Sequence, residues 1–436
     1  MSKQIVIHDT VHGTIVLDPC AGKLLNTPEV QRLAGIKQLG LSFLVFPGAN
    51  HTRLEHSVGT YHVARRLSNV LGLEKAEADI VSYAALLHDI GHGPYSHTLE
   101  VVLHDMLGID HMELTKDVIL GKNRMVPDEF LEIPDSDVTI SDILKEHSID
   151  EKLVGELVHG NSVPSDEQAV LTHNGQQFFN EKVYLGQLIH GPIDCDQIDY
   201  LLRDSHYTGV AHGTVDLARL LHTLTIHNHD LVVKEKGLSA VEGMLVARSL
   251  MYSSVYFHKT ARMAELLLSK AVKMALDRAK TMDVQMMNDA ELVGWLDSLG
   301  GFQREVVLRL KFRKLYKVAF GRRVGDLSEE EQARLIDITE NNSWVSIENS
   351  ICQRLGLKDG SVLIDIPEPD LLLAEPRISR TDIKVLSDGK VKSLTKMTPF
   401  SKAIQQKKIS RWALMVSCDK TNREAVGKAA EKLIFG

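Results

Sequence analysis

The apolar run Ile80-Val81-Ser82-Tyr83-Ala84-Ala85-Leu86-Leu87 leads directly into His88-Asp89-Ile90-Gly91-His92-Gly93-Pro94-Tyr95-Ser96-His97. The first eight residues suit a buried helix, and Gly93-Pro94 can end it beyond His92. An adjacent imidazole and carboxylate at the mouth of a core can enter one metal's coordination sphere, which points to metal-assisted hydrolysis.

One His and one Asp leave a metal short of ligands, and two other segments supply what is lacking. In His51-Thr52-Arg53-Leu54-Glu55-His56, Arg53 and His56 are three residues apart. On a helical turn they share a face, one offering a fork for phosphate and the other an imidazole. In Asp194-Cys195-Asp196-Gln197-Ile198-Asp199-Tyr200-Leu201-Leu202-Arg203-Asp204, the residues Asp196, Tyr200 and Asp204 recur every fourth position along one stripe. Each piece alone is ordinary. Together, His56, His88-Asp89 and Asp196 occur in order beside apolar helical sequence, where an unpaired charge would be costly.

At 436 residues the chain exceeds the roughly 100–200 residues of a common domain, so more than one lobe is expected. Its 44% hydrophobic and 25% charged residues suit a globular protein. Cys20, Cys195, Cys352 and Cys418 have neither ligand nor framework spacing, which favours a reducing compartment. The start shows no signal peptide, and no later run approaches the ~20 apolar residues that span a bilayer, so a cytoplasmic address without membrane contact is expected. A net charge of −8 weighs against broad binding to nucleic acid. The local exception is Lys311-Phe312-Arg313-Lys314-Leu315-Tyr316-Lys317 with Arg322-Arg323, either a solvated amphipathic helix or an anion-binding patch.

The spacing predicts a mainly α fold. An extended lead (Ile5–Ile7, Gly13–Leu17) precedes a helix over about 27–37, and further helices fall at 57–72, 76–92, 112–120, 184–205, 215–226 and 239–280. Residues 121–182 are more polar and suggest loops with short helices, and Ile226 to Val233 suggests a small hairpin. Helix continues to about Asn342. Alternating runs from Gly360, at 382–386, 391–394 and 412–417, then precede a helix over 422–433 capped by Thr421. The expected division is a core over 1–280, a helical extension over 281–345 and a small α+β C-terminal lobe over 346–436.

The set His56, His88-Asp89, Asp196 resembles the HD phosphohydrolase superfamily. Phe46 to Ser57, His88 to His97, Asp194 to Asp204 and Tyr256-Phe257-His258-Lys259 are more closely similar to the deoxynucleoside triphosphate triphosphohydrolases, over about residues 5–325. The resemblance implies an HD-domain helical core without a preceding sterile-alpha-motif domain. It implies metal ligation by His56, His88, Asp89 and Asp196, a mixed set that suits Mn, Fe, Ni, Zn or Mg. His92, His111 and Arg53 match phosphate-contacting positions. His97 matches the acid that protonates the leaving 5′-oxygen, and Glu100 stands where the family usually has the aspartate that orients this acid. Gln38-Leu39 matches a sugar-contacting pair whose Leu crowds a 2′-hydroxyl, and Asp204 and Tyr256 flank the 3′-hydroxyl. Tyr200, Arg248 and Lys259 match sugar- and phosphate-contacting positions.

The same resemblance implies a homo-oligomer, dimer or tetramer, with regulatory nucleotides between subunits. Gln31, Arg313 and Lys317 are kept there, but Asn26 and Ala34 replace the Asp and Arg that read guanine. The resemblance therefore implies a metal-dependent hydrolase of dNTPs that releases deoxynucleoside and triphosphate. Another HD-type nucleotidase, phosphodiesterase or nuclease, and a nucleotide-sensing protein without activity, stay open beside it.

Overall fold

The computed structural model describes residues 4–133, 136–160, 182–213, 215–278, 282–367, 383–406 and 412–436. The extended lead forms an antiparallel hairpin, β1 (Ile5–Asp9) and β2 (Gly13–Leu17). Helices α1 (Pro19–Leu25) and α2 (Pro28–Arg32) follow, then α3 (Arg53–Leu71), α4 (Lys75–Leu87), α5 (Ser96–Leu107), α6 (His111–Ile119), α7 (Ile140–Glu146) and α8 (Glu151–His159). Next come α9 (Val183–His190), α10 (Cys195–Thr208) and α11 (Leu217–Thr223). The strands β3 (Leu224–His227) and β4 (Asp230–Lys234) lead to α12 (Leu238–Met251) and α13 (Lys259–Leu276). Helices α14 (Asp289–Ser298) and α15 (Gly301–Lys311) precede β5 (Lys317–Arg323), α16 (Glu329–Glu340) and α17 (Trp344–Leu355). The chain finishes with β6 (Val362–Asp365), β7 (Lys384–Ser387), β8 (Lys390–Ser393), short helices α18 (Leu394–Met397) and α19 (Pro399–Gln406), β9 (Trp412–Cys418) and α20 (Arg423–Ile434).

The fold is mainly α, as the apolar spacing implies. One apolar core joins α1, α3, α4, α8, α9, α10 and α12, with Ile383, Val385 and Leu394 packed into it. The strands after residue 360 divide between two sheets. β7 and β8 extend the β3–β4 hairpin, with β4 and β7 parallel, whereas β9 lies between β5 and β6 in an antiparallel sheet. Every residue of β9 is buried, because its Trp412 and Met415 enter the core around α13 while Ala413, Leu414 and Val416 enter the one around α17 and α20. That explains an unbroken apolar run in a central strand. Among the described residues no helix is long and apolar enough to cross a membrane.

Several expected helices are shorter or divided. The helix over 27–37 stops at Arg32 and tightens into a 3₁₀ turn at Leu33–Gly35. The 184–205 helix is two, separated at Gly191-Pro192, where proline lacks the amide hydrogen that helix continuation needs. The 239–280 helix passes through one π turn at Tyr252–Tyr256 and restarts after His258. α11 ends at Thr223, so the hairpin begins at Leu224 rather than Ile226. The 76–92 helix ends at Leu87, and α5 directly after it escaped the periodicity reading. Within the stretch expected as helix to Asn342, residues 317–323 form β5: Val318, Phe320 and Arg322 alternate in strand fashion and find an edge on β9. The last helix takes Asn422 as its cap position, and Thr421 lies in a 3₁₀ turn capped by Asp419.

Candidate active site

Thr52 starts α3 with a reciprocal cap in which its hydroxyl accepts from the Glu55 amide and the Glu55 carboxylate accepts from the Thr52 amide. Arg53 and His56 therefore occupy the first helical turn, three residues apart on one face. α4 brings His88 to its C-cap, with Asp89 one residue further on. α10 starts at an Asp194 cap, whose carboxylate accepts from the Gln197 amide at 2.7 Å, and Asp196 lies in its first turn. Close approach of α3 to α10 requires Gly59: a Cβ there would fall 2.0 Å from Asp199 Oδ1.

The three elements bring four potential ligands together. His56 Nε2 is 3.0 Å from Asp196 Oδ1 and 4.0 Å from Asp89 Oδ2. His88 Nε2 is 3.3 Å from Asp89 Oδ1 and 3.9 Å from Asp196 Oδ1. His56, His88 and Asp89 offer donor atoms all within 4.8 Å of one another, a group able to hold one cation, and Asp196 stands against both imidazoles as a fourth donor. The far side of each ring supports the same use. His56 Nδ1 is 2.7 Å from Asp199 Oδ2 and His88 Nδ1 is 2.8 Å from the Ala85 carbonyl oxygen, two acceptors that require N–H at Nδ1 and leave an Nε2 lone pair facing the carboxylates. Without a cation, burial opposes charge on His56, yet its bonds to Asp196 and Asp199 outweigh burial and push its pKa up to about 10. A proton then occupies the place a divalent ion would take, and metal loading would release it. The donor set fits a hard or borderline divalent ion.

Beside this centre stands a cationic and imidazole-rich wall. Arg53 Nη1 donates to Asp89 Oδ2 at 2.5 Å and its Nε to the Ser96 hydroxyl at 2.6 Å. Burial penalises the Asp89 charge, but the Arg53 guanidinium, with His88 and His92, holds the carboxyl well below the usual range. His92 is also buried; burial and the Arg53 charge push it down to about 3, so its ring is neutral at physiological pH. Its ring stacks on His111 at 4.3 Å, and His111 Nδ1 is 2.7 Å from Glu100 Oε1. His92, Ser96, Glu100, His111 and Gln285 line one cleft. Gly91 lets α6 approach, since a Cβ there would lie 2.4 Å from the His111 carbonyl oxygen. His97 belongs to the first turn of α5, and its side chain lies outside the described residues.

Toward the C-terminal end of α10, Asp204 accepts from the Tyr256 hydroxyl through Oδ2 at 2.7 Å, while His51 Nε2 is 2.8 Å from Oδ1. Tyr200 packs edge-on to Tyr256 with centroids 6.2 Å apart, and its buried hydroxyl has no partner among the described residues. Arg248 donates to Gln197 Oε1 at 2.9 Å. The Gln38 amide donates to the His51 carbonyl, which places the Gln38-Leu39 pair beside this group. Lys259 is exposed in the first turn of α13. The residues matched to a regulatory site lie on the surface: Gln31 is exposed on α2, Arg313 has a positive φ of 53° and donates to the Leu44 carbonyl, and Lys317 is exposed at the start of β5. Asn26 caps α1 and Ala34 is exposed in the following 3₁₀ turn.

The sequence reading missed the supports. Asp199 is fully buried and touches His12, His56 and Arg203, with Arg203 also bonded to Asp9. The i, i+4 spacing of Asp199 and Arg203 was the available signal. Asp289, over 190 residues from the metal motif, accepts from the Tyr95 and Lys37 amides, and Gln285 donates to the Gly91 carbonyl. Nothing local in the sequence marks these two.

Comparison with known proteins gives the family. An HD domain matches residues 53–204, and an HD-associated region matches 215–435. The chain belongs to the HD-domain family of metal-dependent phosphohydrolases. It is 31% identical over 427 residues to an uncharacterized protein of Methanocaldococcus jannaschii, covering 95% of this chain and 79% of that one. It is 30% identical over 289 residues to the deoxynucleoside triphosphate triphosphohydrolase SAMHD1 of Gallus gallus, covering 62% of this chain and 45% of that enzyme. A crystal structure of a hypothetical protein from Aquifex aeolicus superposes with a TM-score of 0.69 at 27% identity, over 99% of this chain and all of that one.

Proposed function

We propose that this HD phosphohydrolase hydrolyses deoxynucleoside triphosphates to deoxynucleoside and triphosphate. The observation that carries the reading is that one helix, α10, bears both Asp196 at the metal centre and, two turns on, Asp204 bonded to Tyr256. A site of that form can hold a phosphate chain at one end and a sugar at the other, and the SAMHD1 relative is named for this reaction.

A divalent ion held by His56, His88, Asp89 and Asp196 would supply the Lewis acidity that makes water nucleophilic near neutral pH. Arg53, fixed by Asp89 and Ser96, sets a positive charge beside the phosphoryl oxygens. His92, neutral because its charged form is disfavoured, can offer an N–H to the same oxygens without losing a proton. Glu100 orients His111 against His92. As the water oxygen bonds to the α-phosphorus, the bond to the 5′-oxygen breaks, and His97 gives that oxygen its proton. Leu39 disfavours a 2′-hydroxyl, while Asp204 and Tyr256 read the 3′-hydroxyl. Tyr200, Arg248 and Lys259 complete the sugar and phosphate contacts.

The reading includes a homo-oligomer with a nucleotide at Gln31, Arg313 and Lys317. Recognition there would rest on phosphate, because Asn26 and Ala34 lack the groups to read guanine. The test is hydrolysis by protein loaded with Mn, Fe, Ni, Zn or Mg of each dNTP and rNTP, with chromatographic separation of products. Turnover of dNTPs with weak or absent turnover of rNTPs is expected; equal turnover of both contradicts the role of Leu39.

A further inference from the structure

The Asp204 carboxylate is held on both sides, and only one holder belongs to the expected sugar site. Tyr256 donates to Oδ2 at 2.7 Å. His51 Nε2 lies 2.8 Å from Oδ1, and both residues are buried. A carboxylate oxygen can only accept, so Nε2 carries the hydrogen. The other ring nitrogen, Nδ1, is buried and has no hydrogen-bond partner among the described residues. Tyr207 stacks on the ring with centroids 4.5 Å apart and planes 17° apart, which holds the plane of the imidazole in line with the carboxylate. Tyr207 is itself anchored, donating to Glu55 Oε1 at 2.5 Å and accepting from the Thr10 hydroxyl at 3.0 Å. The backbone serves the same end: the His51 carbonyl accepts from the Gln38 amide at 3.0 Å, fixing the residue before Leu39. One residue thus ties together the carboxylate and the pair expected to face the sugar.

We propose that His51 is a positioning residue that fixes the Asp204 carboxylate through Nε2–H, so that the site distinguishes a substrate's 3′-hydroxyl. This rests on the dNTP reading above. With one lone pair of Oδ1 taken by His51 and one of Oδ2 by Tyr256, the remaining acceptor positions of Asp204 have fixed directions, and a sugar hydroxyl meets them without reorganisation. Without His51 the carboxylate keeps its charge but not its aim. The effect then falls on the substrate that uses the hydroxyl and spares one that lacks it.

The experiment compares kcat/KM for each dNTP and its 2′,3′-dideoxy counterpart in wild type, His51→Phe, His51→Gln and Asp204→Asn, all metal-loaded. Phenylalanine keeps the stack on Tyr207 and removes the donor, whereas glutamine keeps a donor. In wild type the 3′-hydroxyl should favour the dNTP. In His51→Phe that preference should fall by about tenfold to a hundredfold, the range for a lost hydrogen bond to a charged group, with the dideoxy rate changing less than about threefold. Glutamine should restore part of the preference. If His51→Phe does not fold, Tyr207→Leu, which loosens the stack, should lower the same ratio more weakly. Equal losses on dNTP and dideoxy substrate in either variant would overturn the inference and make His51 merely structural. A wild type that hydrolyses no dNTP, or an Asp204→Asn variant with an unchanged ratio, would overturn the sugar-site reading itself.

Discussion

Replacing Asp199 by Asn keeps volume and shape, and it should still damage both the fold and the metal centre. Asp199 Oδ1 is 2.6 Å from His12 Nε2 and 3.0 Å from Arg203 Nη2, and Oδ2 is 2.7 Å from His56 Nδ1 and 2.9 Å from Arg203 Nε. All four contacts present hydrogen to oxygen, so an amide, with one acceptor oxygen, turns two of them into opposed donors whichever way it flips. Arg203, fully buried, also loses the carboxylate that pairs with it through two oxygens and keeps Asp9 at 2.8 Å. Breaking a buried ion pair from one side costs about 3–5 kcal/mol, and the retained Asp9 places this case near 3 kcal/mol. His56 also loses the carboxylate that fixes its tautomer, a kind of support whose removal typically weakens metal affinity about 10- to 100-fold. Urea unfolding of the metal-free variant, followed by metal titration, measures the two effects separately. A change under 1 kcal/mol together with unchanged affinity would refute the assignment of Asp199 as the hub.

Four further outcomes are expected. Asp196→Ala or His88→Ala should abolish hydrolysis and lower bound metal; full occupancy with unchanged turnover in both would remove them from the ligand set. His97→Ala should slow single-turnover chemistry by about two to four orders of magnitude with little loss of substrate binding, and wild-type rates would exclude it as the acid. In the metal-free protein His56 is raised to about 10 from its ordinary 6.5, so its contribution to stability is complete below pH 6.5 and is lost as pH rises through 10. Thermal melts of the metal-free protein from pH 6 to 10 should show that decline, and His56→Gln should flatten it; an unchanged slope would show that another group titrates. Light scattering should find a dimer or tetramer, and turnover of one dNTP should respond to added nucleotides without strict dependence on GTP; a monomer indifferent to every nucleotide contradicts this.

The candidate ligands were legible because they sit in short segments that each carry a signal: Arg53 and His56 three residues apart, an apolar run before His88, and a four-residue stripe from Asp196. The sheets and breaks were less so. Lys317–Arg323 reads as helix or strand by composition, and only β9, almost a hundred residues later, decides for strand. Likewise the turn at Tyr252–Tyr256 has no proline or glycine to announce it. The buttressing residues were hidden for the same reason: Asp289 and Gln285 act through main-chain atoms of Tyr95, Lys37 and Gly91, whose amide and carbonyl groups are the same in any sequence. His51 was in view as part of a motif, but its bond to Asp204 spans 153 residues and appears only when α10 docks on α3.

Isotope placement tests most directly whether water attacks the α-phosphorus with departure of the 5′-oxygen. Metal-loaded protein would turn over a dNTP in ¹⁸O-labelled water, with the products weighed by mass spectrometry. The expected products are unlabelled deoxynucleoside and triphosphate carrying one ¹⁸O. A deoxynucleoside mono- or diphosphate as first product, or label in the nucleoside, would contradict that attack.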